Sequence, residues 1–452
     1  MNKIFKRKIY NDLLEFKKDN GKYALLIEGA RRVGKSTIVE EFAKNEYKSY
    51  IFIDFQNDKE KARLPFKELP NLNAFFDTLS LYYGSTKLYE RESLIIFDEI
   101  QLFPEARETL KQLVKDGRYD YIETGSLISI NKNVKDILLP SEEKKIPMYP
   151  LSFEEFLNAT GDSFTFDLLK KYLKENKEIS DTIHQEMIRK FKTYMVLGGM
   201  PKVIDTYNET KSFFECDKEK ELILELYKND LHKLDDDLNL RASLIYKSIP
   251  SSLSNHFKDY NNIKIYNKNN SLNKKNLNSF DALIDSKVVL PCYLVSEINL
   301  TPYAYIKDNK FKLYFSDTGL FITQILYNAK KEEKEMLYKS LISNKLSINE
   351  GNIFENMVAQ ELTYLNNELY YYTYYDEAHH TYEIDFLIYK NKKVIPIEVK
   401  SNSIRFHTSL DKLQVNNSKL IKEKIIISNK PYFKKDNLIN IPIYLLEVIN
   451  CL

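Results

Sequence analysis

Apolar positions in the first 150 residues form short blocks that alternate with stretches of helical spacing. The blocks are Tyr23–Glu28, Tyr50–Asp54, Ser93–Asp98, Tyr119–Thr124 and Ile146–Tyr149. That alternation predicts a parallel α/β sheet covered on both faces, with a loop at each strand's carboxyl end, where such sheets place ligands. From Ser152 the spacing becomes helical and stays so to about Leu231, opening on Ser152-Phe153-Glu154-Glu155, an N-cap with a capping-box carboxylate. The acidic run Asp235-Asp236-Asp237 marks a boundary. Beyond it the pattern gives a helix over Ala242–Phe257 with a break at Pro250, a helix over Asn276–Ser286 and a strand from Val288 to Val295. This order suits a winged helix-turn-helix, which could seat a helix in a DNA groove; a small packing domain is the simpler alternative. From about Thr301 the α/β pattern returns, with a helix at Asn352–Leu365, strands at Tyr370–Tyr375, Glu383–Tyr389, Lys393–Lys400 and Lys424–Ser428, and a helix at Ser409–Leu420.

Into this frame falls Gly29-Ala30-Arg31-Arg32-Val33-Gly34-Lys35-Ser36, followed by Thr37, a full match to G-x-x-x-x-G-K-[ST]. An apolar strand runs in and a helix runs out, as a phosphate-binding loop requires. Its glycines let backbone N–H groups turn inward around phosphate oxygens, and the helix N-terminus adds partial positive charge. Lys35 is expected to reach the β/γ-phosphates of ATP and Ser36 to ligate Mg²⁺. Four apolar residues later end in Asp98-Glu99, where Asp98 would hold the ion's hydration shell and Glu99 would act as general base on the attacking water. Thr124 and Ser126 end the next strand with hydroxyls that could sense the γ-phosphate or simply cap a turn.

Charge changes the picture mainly near the C-terminus. The 452 residues are 43% hydrophobic and 29% charged, with a formal net charge of +2, so folded domains are expected, about three by length. Residues 390–440 nonetheless carry twelve Lys/Arg against four acids, and Phe257 to Phe280 carries five Lys against one acid. A polyanion such as DNA would favour this surface, and a solvated lysine face explains it as well. Cys216, Cys292 and Cys451 are far apart, which predicts neither a disulfide framework nor a zinc knuckle. No apolar run has membrane-spanning length and the N-terminus has no apolar signal region, so a cytoplasmic, reducing setting is expected.

A second acidic constellation lies in the tail, at Glu383-Ile384-Asp385 and then Ile397-Glu398-Val399-Lys400. Twelve residues separate Asp385 from Glu398, enough for two antiparallel strands and a turn at Asn391. Glu398 and Lys400 share a face by strand parity. Asp385 and Glu398 could hold a divalent cation with Lys400 steering a water, and Glu355 could complete the set from its helix. A surface salt bridge between Glu398 and Lys400 is the simpler alternative.

The ordered set GARRVGKST, IIFDEIQ, ETGSL, YPLSFEEF, LGGMP, KLYFSDTGL, GNIFE, EIDFLI and PIEVKS resembles a bacterial and archaeal family of AAA+ P-loop ATPases whose C-terminal domain, long of unknown function, has a PD-(D/E)xK nuclease-like core. The resemblance implies an AAA+-like core over 1–150, a helical lid over 151–237, a winged helix-turn-helix over 238–300 and an α/β restriction-endonuclease-like domain over 301–452. It implies that the Gly198-Gly199-Met200-Pro201 turn approaches the nucleotide base, and it offers Arg107 or Arg118 as an arginine finger without choosing between them. Asp385 follows Ile384 where the fuller motif has Pro. The expected function is an ATPase, using ATP and Mg²⁺, coupled to a DNA-acting tail. The alternative is a nucleotide-dependent switch or scaffold whose tail only binds. A nucleotide kinase fits poorly, because no arginine-rich lid for a small substrate follows the P-loop. The oligomeric state is left open, a homo-oligomer included.

Overall fold

The computed structural model describes residues 4–126, 141–175, 177–231, 236–254, 274–343, 350–376, 379–401 and 407–451. The chain forms two compact units, one of residues 1–150 with 285–287 and one of 151–284 with 288–452.

The first unit is built on β1 (Ala24–Glu28), β2 (Ser49–Asp54), β3 (Ser93–Asp98), β4 (Asp120–Gly125) and β5 (Glu143–Pro147). They form one sheet in the order β2-β3-β4-β1-β5, with every pairing parallel. All of β3 and β4 is buried, which is why β3 appears in sequence as a continuous apolar run. Phe75, Phe76 and Leu79 of one helix and Leu110 and Leu113 of another pack on Ile51, Ile53, Ile95, Phe97 and Tyr121; burying each such side chain is worth roughly 1.5–3 kcal/mol. The strand order puts β4 between β3 and β1, so their carboxyl ends lie side by side.

The second unit opens with helices, among them Phe153–Ala159, Asp181–Leu197, Pro201–Thr210 and Phe213–Leu231. Ser152 caps the first as its sequence predicts: its hydroxyl accepts from the Glu155 N–H and the Glu155 carboxylate accepts from the Ser152 N–H. Then come β6 (Val289–Val295), β7 (Ile306–Phe315), β8 (Leu369–Tyr375), β9 (Thr381–Lys390), β10 (Lys393–Lys400), β11 (Lys424–Ser428), β12 (Phe433–Lys435) and β13 (Leu438–Pro442). These eight form a single mixed sheet in the order β12-β13-β11-β10-β9-β8-β6-β7.

That sheet redraws the segments expected from sequence. The strand assigned to a winged element at 238–300 is β6, and it pairs in parallel with β8 of the tail. Its apolar run is buried within this sheet. Helix Asp236–Leu253 runs through Pro250 without a break, and Phe257 with the polar turn after it lies outside the described residues.

Two of the motifs that carry the resemblance lock together inside this unit. Asp317 accepts a hydrogen bond from the Gly199 N–H at 2.6 Å and caps helix Thr318–Ile325 through the Leu320 N–H. A Cβ on Gly198 would lie 2.2 Å from the Asp317 carboxylate, and one on Gly319 would lie 2.5 Å from the Gly198 nitrogen. The glycines of the 198–201 turn are therefore required for packing within the second unit.

Candidate active site

The loop after β1 needs two unusual backbone positions, Arg32 at φ 67° and Gly34 at φ 97°. Gly29 is fixed by crowding, since a Cβ there would sit 2.2 Å from the Met148 carbonyl. Lys35 is 94% buried, at 6% exposure, and its ammonium donates to the carbonyls of Gly29 and Ala30, both at 3.0 Å. A buried ammonium held by neutral carbonyls is poised to exchange them for an anion. Ala30 and Val33 are buried, Arg31 is half-buried, and Arg32 and Thr37 are exposed.

Across from the loop, Ser36 donates to Asp98 Oδ1 at 2.6 Å, and the Thr124 hydroxyl donates to the same oxygen. Burial pushes the Asp98 carboxyl up from the ordinary aspartate range, against the pull of the Ser36 and Thr124 hydroxyls. Ser36 and Asp98 present adjacent hard oxygens, a donor set that fits Mg²⁺. Glu99 follows with a left-handed backbone, φ 54°, which turns it off the strand. Its N–H donates to Thr124 Oγ1 at 3.4 Å, and its carboxylate accepts from the fully buried Gln101 amide. Gln101, which also reaches Ser126 Oγ at 3.5 Å, was given no role by its sequence. The structure makes it the group that orients Glu99.

Neither arginine offered as a finger has the setting one needs. Arg107 is wholly buried and grips Glu143 with two nitrogens, Nη2 at 2.9 and 2.7 Å and Nε at 3.2 Å. Its Nε lies 3.7 Å from Glu123. Arg118 is tied to Asp116 and Asn73 and lies over the Phe76 ring.

The tail brings together a different acidic set from the expected one. Glu355, Glu383 and Asp385 each place a carboxylate oxygen within 4.8 Å of the others. Glu383 was given no ligand role from sequence, although its parity with Asp385 carries the signal. Between Tyr370 and Tyr372 of β8, strand β9 advances from Leu387 to Ile384. This β-bulge at Asp385-Phe386 re-aims the acidic side chain locally. Asp385 also accepts from the Val399 N–H at 2.8 Å. Lys312 enters the cluster from β7, with its ammonium 2.7 Å from Glu383 and 3.3 Å from Glu355. Burial alone would pull Lys312 down, but the three carboxylates outweigh it and hold the ammonium well above the ordinary lysine range.

Glu398 is not among the three carboxylates that lie within 4.8 Å of one another, so this set differs from the expected one. Glu398 pairs with Lys400 at 2.5 Å and accepts from Ser409 of helix Thr408–Asn416 at 3.0 Å. Glu398 shares its face of β10 with Val394 and lies beside Ile426 of β11, and both of these pack against Leu410 and Leu413 of that same helix. Glu355, by contrast, sits on helix Glu350–Tyr364 and accepts from Tyr314 at 2.6 Å.

Comparison with known proteins follows this division. A profile described as an AAA domain matches residues 21–157. A domain of unknown function (DUF8612) matches 188–331, and another (DUF4143) matches 350–446. No curated protein matches the chain. Among solved structures it is similar to the Walker-type ATPase PABY2304 of Pyrococcus abyssi, at 16% identity and TM-score 0.40, over 71% of this chain and 96% of that one. It is also similar to the Orc1 protein of Aeropyrum pernix in complex with DNA, at 9% identity and TM-score 0.29, over 75% and 95%. The Cdc6p protein of Pyrobaculum aerophilum matches at 12% identity and TM-score 0.28, over 75% and 93%. Likenesses this distant carry no weight here; the AAA profile and the geometry at the strand ends do.

Proposed function

Starting from a P-loop ATPase domain of the AAA type over residues 21–157, we propose that the chain is a Mg²⁺-dependent ATPase whose nucleotide state governs a C-terminal α/β domain that grips DNA. The observation that carries the ATPase part is the meeting of Ser36, Asp98 and Thr124 on one carboxylate oxygen beside the Lys35 loop. Ser36 and Asp98 would hold Mg²⁺, which when bound supplies positive charge to the β- and γ-phosphates. Lys35 leaves the Gly29 and Ala30 carbonyls for phosphate oxygens. Glu99, held by Gln101, takes the proton of the attacking water. Thr124 couples the two acids, because its hydroxyl touches Asp98 while accepting from the backbone of Glu99.

Gripping rather than cutting is supported by the tail's geometry. Lys312 already supplies the positive charge among Glu355, Glu383 and Asp385, and Glu398 is engaged by Lys400 and by Ser409 of another helix. The basic balance of residues 390–440 suits a polyanion. Cutting is the second reading, favoured by the three carboxylates within 4.8 Å, a spacing that a divalent ion can bridge. ATP turnover and binding to plasmid and oligonucleotide DNA, with Mg²⁺ or Mn²⁺ and with or without ATP, test both. Lys35→Ala should abolish turnover and weaken ATP binding; wild-type turnover in that variant would overturn the P-loop assignment. Retention of DNA without cleavage supports gripping. Metal-dependent cleavage lost in Asp385→Ala supports cutting. An active ATPase that does neither would refute the DNA partner and leave a protein scaffold.

A further inference from the structure

Arg7 precedes the first helix, Ile9–Lys18, and lies ahead of the residues that the AAA profile matches. Its two terminal nitrogens nevertheless reach the nucleotide loop from outside. Nη1 donates to the Val33 carbonyl at 2.8 Å, and Nη2 donates to the Tyr149 carbonyl at 2.5 Å. Both acceptors are neutral backbone oxygens, and a guanidinium holds such a pair well because its donors form a rigid fork.

The location of Val33 gives this contact a consequence. A trans peptide is planar, so the Val33 C=O and the Gly34 N–H point in opposite directions and turn as one body. Gly34, at φ 97°, is the residue on the far side of that peptide. Gly34 has no Cβ to resist rotation, so the conformational freedom the loop requires also lets this peptide flip. A flipped peptide would present a carbonyl where the loop must present an N–H to phosphate. Holding the Val33 oxygen toward Arg7 prevents that. The Tyr149 contact anchors the same guanidinium next to Met148, whose carbonyl crowds Gly29 and whose N–H donates to Glu28 at 2.7 Å. Arg7 thus ties the last turn of the loop to the segment packed against its first residue.

We propose that Arg7 is a positioning residue for nucleotide binding, fixing the Val33–Gly34 peptide with its N–H turned to the phosphate side. The proposal rests on the ATPase reading above and adds a residue outside every motif of that reading. It is tested on the full chain by equilibrium binding of Mg·ATP and by steady-state hydrolysis, for wild type, Arg7→Ala and Arg7→Lys. Losing a charge-assisted hydrogen bond that preorganises the loop should weaken Mg·ATP binding about tenfold in Arg7→Ala. KM should rise by a similar factor while kcat changes less, because Arg7 touches no reacting atom. Lysine keeps the charge but not the fork, so Arg7→Lys should fall between the two. A purely structural role would instead lower the melting temperature without nucleotide and leave the affinity of the folded protein unchanged. That result would overturn the proposal, as would wild-type affinity in Arg7→Lys if Arg7→Ala fails to fold. Should the wild-type chain itself bind no ATP, and Lys35→Ala change nothing, the ATPase reading falls and this proposal with it. Wild-type binding with an unaffected Arg7→Ala removes only the role of Arg7.

Discussion

Replacing Arg107 with alanine should unfold the ATPase unit at a markedly lower temperature and affect catalysis only through that loss. The side chain, carried by helix Glu105–Asp116, is wholly buried and reaches Glu123 of β4 and Glu143 of β5. It makes three contacts to Glu143 between 2.7 and 3.2 Å, and its Nε lies 3.7 Å from Glu123. Removing the cation strands the Glu143 carboxylate in the interior beside the Glu123 carboxyl, with Lys145 at 4.0 Å from Glu143 as a partial replacement. Breaking a buried pair in this way costs about 3–5 kcal/mol. For a domain of this size that is a fall in Tm of roughly 6–20 °C. The cost arises from the stranded acids rather than from the lost attraction, so Arg107→Met combined with Glu123→Gln and Glu143→Gln should recover much of it. The assay is thermal unfolding of each variant, with ATP turnover measured well below the transition. An arginine finger would give the reverse result: turnover lost with Tm intact. An Arg107→Ala protein that melts with wild type would refute the buried-charge argument.

Glu99→Gln should slow hydrolysis by roughly two or more orders of magnitude while ATP stays bound; failure to bind ATP would make Glu99 a ligand or a structural residue. Burial, then the neighbouring Glu143, push Glu123 well above its ordinary value of 4.5, against the pull of Arg107. The folded state therefore keeps a proton that the unfolded chain releases, and stability should fall as pH rises from about 4.5 toward the folded pKa. Denaturant titrations at several pH values should show that slope in wild type and its loss in Glu123→Gln; an equal slope in both would exclude Glu123 as its source. Lys312→Met should destabilise the second unit and make it responsive to Mn²⁺, because Glu355, Glu383 and Asp385 would then lack their cation. A melting temperature of that variant unmoved by Mn²⁺ would show that the cluster holds no metal.

The nucleotide site was legible because its chemistry is local. Gly29 to Ser36 and Asp98-Glu99 are contiguous runs whose roles follow from strand and helix context, and parallel neighbours bring their ends together with little freedom. Gln101 and Arg7 were not legible. One acts through a short backtrack onto Glu99. The other acts across 26 and 142 residues onto backbone oxygens, and backbone acceptors leave no mark in side-chain sequence. The hairpin at Asn391 was also predictable: Asn391 and Lys392 both adopt positive φ, and Lys390 pairs with Lys393 across a two-residue turn.

The tail resisted prediction for a reason that bears on its function. Period-two parity put Glu398 with Lys400, and the same spacing relates Glu383 to Asp385, but parity does not say whether two pairs on neighbouring strands face the same way. That depends on register and on bulges, and β9 carries its bulge at Asp385-Phe386. Lys312 could not be foreseen as a partner, since it lies 43 residues before Glu355 and 71 before Glu383. Yet Lys312 decides the chemistry. Three carboxylates this close repel one another unless a cation joins them, and here a buried lysine is that cation. A metal that enters must displace or share with it, against a desolvation cost already met by the protein. Cleavage by this cluster would therefore require Lys312 to withdraw or to share its carboxylates with the ion, whereas gripping a partner requires no change at the cluster. For that reason the response of Lys312→Met to Mn²⁺ separates the two readings more sharply than any activity measured on the wild-type chain.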